Sequence, residues 1–149
     1  MKRRQFIAQA AGVLALPLMR DAHAQAVLET ALPQLRDLVG RAPVRIGRVT
    51  LELPQLSDNG NSVSLRVSVE SPMTEGDHVR SVHLYAEHNP RPNVANFFFG
   101  PQSGRAAIAT RIRLAGSQRV VAIAHLSDGS YWAAAANVVV TLSACLDES

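Results

Sequence analysis

The chain has 149 residues and a formal net charge of +3, with 47% hydrophobic and 18% charged residues and one cysteine, Cys145. Of its 15 basic and 12 acidic residues, Lys2, Arg3, Arg4 and Arg20 against Asp21 fall in the first 24 positions, so the remainder is balanced, eleven against eleven. That balance gives no support for the clustered basic face of a nucleic-acid binder. The lone cysteine excludes an internal disulfide, and Lys2, the only lysine, leaves none further on for Schiff-base chemistry.

The first 24 residues read as a cleavable export signal. Lys2, Arg3 and Arg4 form a basic start, Phe6 to Met19 an apolar stretch, and Ala22 and Ala24 flank His23 as small residues at a cut after Ala24. The apolar stretch, broken by Pro17, is too short to cross a hydrocarbon core of about 30 Å as a helix. No membrane anchor is therefore expected after cleavage. Arg3-Arg4 followed by Gln5-Phe6-Ile7 resembles the twin-arginine motif, whose pathway exports folded proteins; an ordinary secretory signal with two adjacent arginines is the alternative. Either route places the rest of the chain outside the cytoplasm, in the periplasm, and folded export would let a partner without its own signal travel along. What remains suffices for one domain.

Residues 25–40, "QAVLETALPQLRDLVG", place apolar side chains near a period of 3.6 and end on Gly40, which predicts a short helix kinked or restarted at Pro33. From residue 44 the period changes to two. "VRIGRVTLEL" puts Val49, Leu51 and Leu53 on one face, and "SVSLRVSVE" alternates Val63, Leu65, Val67 and Val69 with polar residues, as in strands with one buried and one wet face. Further strands are predicted in "VRSVHLYAEH", "VANFFFG", "AAIATRIRL", "RVVAIAHL" and "YWAAAANVVVTL". Turn signals separate them at Asp58-Asn59-Gly60, Ser71-Pro72, Asn89-Pro90, Gly100-Pro101, Gly116 and Asp128-Gly129, the last being the strongest hairpin signal. The expected fold is all-β: an immunoglobulin-like antiparallel β-sandwich with a short N-terminal helix and a flexible C-terminal arm. The expected division is signal 1–24, sandwich 25–142 and cysteine arm 143–149.

Four pieces in order, "SPMT", "NPRPNVANF", "TRIRLA" and "SDGSYW", followed by a cysteine near the C-terminus, resemble the SoxY family. That family is the sulfur-carrier subunit of the periplasmic SoxYZ complex of thiosulfate oxidation. The resemblance, from about residue 44 to the end, implies a carrier rather than an enzyme. It would hold sulfur intermediates covalently on Cys145 and present them to periplasmic sulfur-oxidising enzymes, in a heterodimer with a SoxZ-like β-sandwich subunit and with no cofactor. One departure bears on the cargo. The family's arm is Gly-Gly-Cys-Gly-Gly, thin and mobile, whereas here Ser143 and Ala144 precede Cys145, and Leu146, Asp147 and Glu148 follow it. That arm is closer to a SoxY-related group of paralogues ending in Ala-Ala-Cys-Ile-Glu. The alternative function is therefore a SoxY-related assembly or binding module that no longer carries sulfur.

The other candidate residues divide by strand parity. Phe97 and Phe99 should face one way and Phe98 the other, so one sheet face cannot bury all three. Either the N-terminal helix covers the far face or the three form an interface with a second subunit. His78, His83 and His88 are spaced by five, which puts neighbours on opposite faces, and His78 and His88 would be about 33 Å apart at the usual rise. No metal site is expected from them; His83 with His125 is the pair left open, with solvated strand positions as the plainer reading. Arg111, Arg113 and Arg119 could form an anion-binding patch or a solvated strand face. Tyr131 and Trp132 read as core and edge packing. A cysteine nucleophile would need a base held beside it, and no histidine lies near Cys145 in the sequence.

Overall fold

The computed structural model describes residues 32–144. The signal and the first half of the expected helix lie outside the described residues, as do Cys145, Leu146 and Asp147. The one described α-helix, α1 (Leu35–Val39), begins two residues after Pro33, whose missing N–H costs nothing at a helix start. Gly40, at φ 60°, ends it.

Nine strands follow among the described residues: β1 (Val44–Ile46), β2 (Val49–Glu52), β3 (Leu56–Ser57), β4 (Val63–Val69), β5 (Val79–Ala86), β6 (Asn93–Phe98), β7 (Ala107–Ile112), β8 (Gln118–Leu126) and β9 (Tyr131–Val140). They form two sheets, one ordered β1-β9-β8-β5-β6 with β3 also on β9, the other β2-β4-β7. The ladders are antiparallel except at β9, where the short strands β1 and β3 lie parallel. The stretch predicted as one strand at residues 44–53 is two strands, one in each sheet. Gly47 (φ 130°) and Arg48 (φ 56°) make the corner. Only glycine fits there, because a Cβ on Gly47 would stand 3.3 Å from the Trp132 ring in addition to the positive φ.

The main core lies between the sheets. β4 contributes Val63, Leu65, Val67 and Val69 and exposes every residue between them, as strict alternation dictates. Val82, Leu84, Val120, Ala122, Ala124 and Val138 meet them from the large sheet. In contrast, β5 and β8 are buried almost continuously. The reason is α1: Leu32, Leu35 and Val39 cover Tyr85, Val121, Ile123 and Ala133 on the outer face, making a second apolar cluster. The Asp128-Gly129 hairpin forms as expected, joining β8 to β9 with His125 opposite Tyr131. The Ser130 hydroxyl and backbone N–H donate to Asp128 Oδ1 and hold that carboxyl below its usual range.

Candidate functional site

The site follows from where β9 ends. Beyond Val140, Thr141 donates its N–H to Ser57 O at 3.1 Å, Leu142 O accepts from Gly60 N–H at 2.7 Å, and Ala144 N–H donates to Leu114 O at 3.0 Å. Leu114 N–H in turn donates to Gly60 O at 2.8 Å. Gly60 and Leu114 thus clamp the chain immediately before Cys145. Ser143 is exposed, while Ala144 is buried. Cys145 itself lies outside the described residues.

Gly60 is required by close approach: a Cβ there would meet Leu114 O at 2.5 Å, Ala144 N at 2.8 Å and Leu142 O at 3.0 Å. From sequence it is a turn residue and nothing more. Asn89 is the other residue that sequence reasoning reads only as a turn. It is buried, and its Nδ2 donates to Arg113 O at 2.8 Å while its Oδ1 accepts from Ala115 N–H and Gln118 Nε2, each at 2.9 Å. Gln118 also accepts from His88 N–H at 2.8 Å. This network ties the β5–β6 loop to the loop after β7. Beside it, between the outer edges of β6 and β7, runs a groove of about 630 Å³ bearing Arg91, Arg111 and Arg113.

Of the predicted arginine patch, Arg111 and Arg113 therefore share one groove, but Arg119 does not join them. It is ion-paired with Glu87, so that charge is already matched.

The three phenylalanines separate as parity requires. Phe97 and Phe99 pack against the main core, whereas Phe98 is 78% exposed on the outer face of the large sheet. His83, read as a solvated strand position, is instead buried. Its Nδ1 must donate to the amide oxygen of Asn96 at 2.6 Å, which leaves Nε2 to accept from the Ser81 hydroxyl at 2.9 Å. The ring meets Phe98 edge-on with centroids 6.2 Å apart. His125 stacks on Tyr131 at 4.5 Å. Burial, then the charge of Arg80, push its pKa below the ordinary value, with Asp128 opposing. His78 bonds Thr74 O through Nδ1 at 3.0 Å. Among the described residues no three His, Cys, Asp or Glu side chains converge as a metal set would. Trp132 packs against the core and carries the guanidiniums of Arg45 and Arg48 over its ring at 5.6 and 5.4 Å.

Two facing sheets, a helix on one outer face and a clamped C-terminal strand define a small immunoglobulin-like β-sandwich. The chain belongs to the SoxY family: the family described as "Sulfur oxidation protein SoxY" matches residues 35–145, a span that takes in every strand and ends on Cys145. The fold is similar to that of the sulfur carrier protein SoxY of Chlorobium limicola f thiosulfatophilum, at TM-score 0.62 and 20% identity, covering 80% of this chain and 99% of that one. It is also similar to the superoxide reductase (neelaredoxin) of Ignicoccus hospitalis, at TM-score 0.57 and 21% identity over 63% of this chain and 80% of that one. A putative superoxide reductase of Thermotoga maritima follows at TM-score 0.54 and 18% identity, covering 64% and 85%. At these identities the likenesses speak for the fold alone. No curated protein matches the chain in sequence.

Proposed function

We propose that this protein is a non-enzymatic sulfur carrier of the periplasm, exported by the twin-arginine route, that holds sulfur species covalently on Cys145 and presents them to sulfur-oxidising enzymes. The observation that carries the reading is the family match running through to Cys145, directly after a backbone clamp at Ala144. A carrier needs a thiol attached to a rigid body and free of a disulfide mate, since the thiolate is the nucleophile that takes up sulfur. With polysulfide the loading step is redox-neutral: the thiolate attacks a terminal sulfur, an S–S bond forms on Cys145, and a polysulfide shorter by one sulfur leaves with its electron pair. With thiosulfate, joining the two sulfurs releases two electrons, which an oxidising partner enzyme accepts.

The partner in this reading is a SoxZ-like sandwich subunit, and the large exposed ring of Phe98 is the anchor suited to it, since aromatic residues dominate such contacts. Phe97 and Phe99 support the same strand from the core side.

The test is the intact mass of the protein after incubation with polysulfide, and with thiosulfate plus oxidising partner enzymes. A reductant-sensitive adduct that Cys145→Ser abolishes is expected, and no adduct under either condition overturns the carrier. A second reading is motivated by Ser143, Ala144, Leu146 and Asp147 standing where family arms have glycine: an assembly module with partner binding but no cargo. Under that reading Cys145→Ser leaves sulfur oxidation by the intact system unchanged.

A further inference from the structure

The groove between β6 and β7 has a use beyond the carrier reading. Each of these strands is the last in its sheet, so both walls present an unpaired backbone edge, the usual template for an added extended segment. Arg91 reaches it from the β5–β6 loop and Arg111 and Arg113 from the β7 side. No acidic residue lines it, and among the described residues the only ion pair is that of Arg119 with Glu87. Three like charges on one cleft repel each other and favour an anionic occupant. Its volume of about 630 Å³ lies in the range of clefts that take an extended or drug-sized occupant, roughly 300–1,000 Å³.

An acidic segment of suitable length starts beside it. Arg113 O accepts from Asn89 on the groove side, and the next carbonyl, Leu114 O, accepts from Ala144 on the other side. The chain after Ala144 thus begins about one strand spacing, ~4.8 Å, from the groove wall. Residues 145–149, Cys-Leu-Asp-Glu-Ser, reach about 16 Å when extended, enough to cross that distance and run past Arg113 to Arg111. Their charged side chains, Asp147 and Glu148, are opposite in sign to the groove. Arg111 spends one donor on the neutral Ser62 hydroxyl at 3.0 Å and keeps the others for a carboxylate.

We propose that the arginine groove is the docking cleft for this chain's own acidic C-terminal segment, with Asp147 and Glu148 against Arg91, Arg111 and Arg113 and Cys145 held beside Arg113. Docking holds the arm end on the body through charge, and an arm of glycines would have no such contact. The proposal does not depend on what Cys145 carries.

The test compares the arginine Nε–H resonances of the full-length chain with those of Asp147→Asn/Glu148→Gln. At low salt the resonances of Arg91, Arg111 and Arg113 are expected to differ between the two proteins and those of Arg66 and Arg80 to coincide. The difference should vanish near 1 M salt, where the screening length is about 3 Å. Arg111→Gln/Arg113→Gln, both exposed positions, should remove the salt dependence of the Cys145 Cβ shift without changing Tm. Coincident groove resonances at low salt, or shifts confined to other arginines, overturn the proposal. Shifts that fade on dilution also overturn it, since the occupant is then the tail of a second copy. None of these readouts involves sulfur loading, so the carrier reading stands or falls separately.

Discussion

Ala144 is joined to Leu114 by a 3.0 Å backbone hydrogen bond, and Leu114 to Gly60 by one of 2.8 Å. The residue before the cysteine is therefore fixed to two loops more than 25 positions away in the sequence. Gly60→Ala places a methyl group against the carbonyl of Leu114 and the amide of Ala144, both backbone atoms that cannot turn aside. A loss of about 1–3 kcal/mol is expected from such overpacking, read as a lower denaturation midpoint. Released from its clamp, Cys145 should also react at a different rate with a neutral alkylating reagent; an unchanged midpoint and rate would disprove the clamp.

Asn89 makes its three bonds to groups on the far side of the groove's end, and Ala at this position leaves the Arg113 carbonyl and the Ala115 amide without partners. A cost of about 1–3 kcal/mol follows for part-buried groups left unpaired. Asn89→Asp keeps the two acceptor contacts but sets a carboxylate oxygen against the Arg113 carbonyl in place of the donor, so it too should fall below wild type in thermal denaturation. Equal Tm values for all three would show that Asn89 is not holding the loops together.

The difference between Gly60 and Val67 shows what the sequence could reveal. Val67 sits in a run whose period of two is complete without reference to anything outside it, and its burial follows at once. Gly60 and Asn89 are turn residues by local chemistry, and their partners are set by sheet closure, which leaves no local signal. The same holds for the corner at Gly47 and Arg48: residues 44–53 alternate well enough to read as one strand, but Val44 belongs to the outer cluster and Val49 to the main core. His83 is buried among Ser81, Asn96 and Phe98, although its strand position alone suggested a wet one. The family was legible through the motif series ahead of Cys145. The groove was not, because Arg91 comes from a different sheet edge than Arg111 and Arg113.

Phe98 and Phe97 give a paired prediction. Phe98→Asp alters an exposed side chain and should change stability by no more than about 0.5 kcal/mol. Phe97→Ala empties half-buried space in the main core and should cost up to about 3 kcal/mol. In co-purification with a SoxZ-like subunit, Phe98→Asp should lose the complex while keeping its Tm. If Phe98→Asp retains the complex, the interface lies elsewhere on the molecule.

His125 makes stability depend on pH, and the sign is fixed by the direction of its shift. Burial, and after it the positive charge of Arg80, lower the folded-state pKa of His125 below the unfolded value of about 6.5. The unfolded chain therefore binds the proton more readily between the two values, and stability rises with pH across that window. The contribution is fully present above pH ~6.5 and is lost as pH falls through the folded-state value. Tm recorded from pH 7.5 down to pH 5 should fall below about pH 6.5, and His125→Gln, which cannot titrate, should show a shallower decline over the same range. Parallel curves for the two proteins would assign the pH dependence to other groups. Because Asp128 opposes the shift, Asp128→Asn should lower the His125 pKa further and move the steep part of the curve to lower pH.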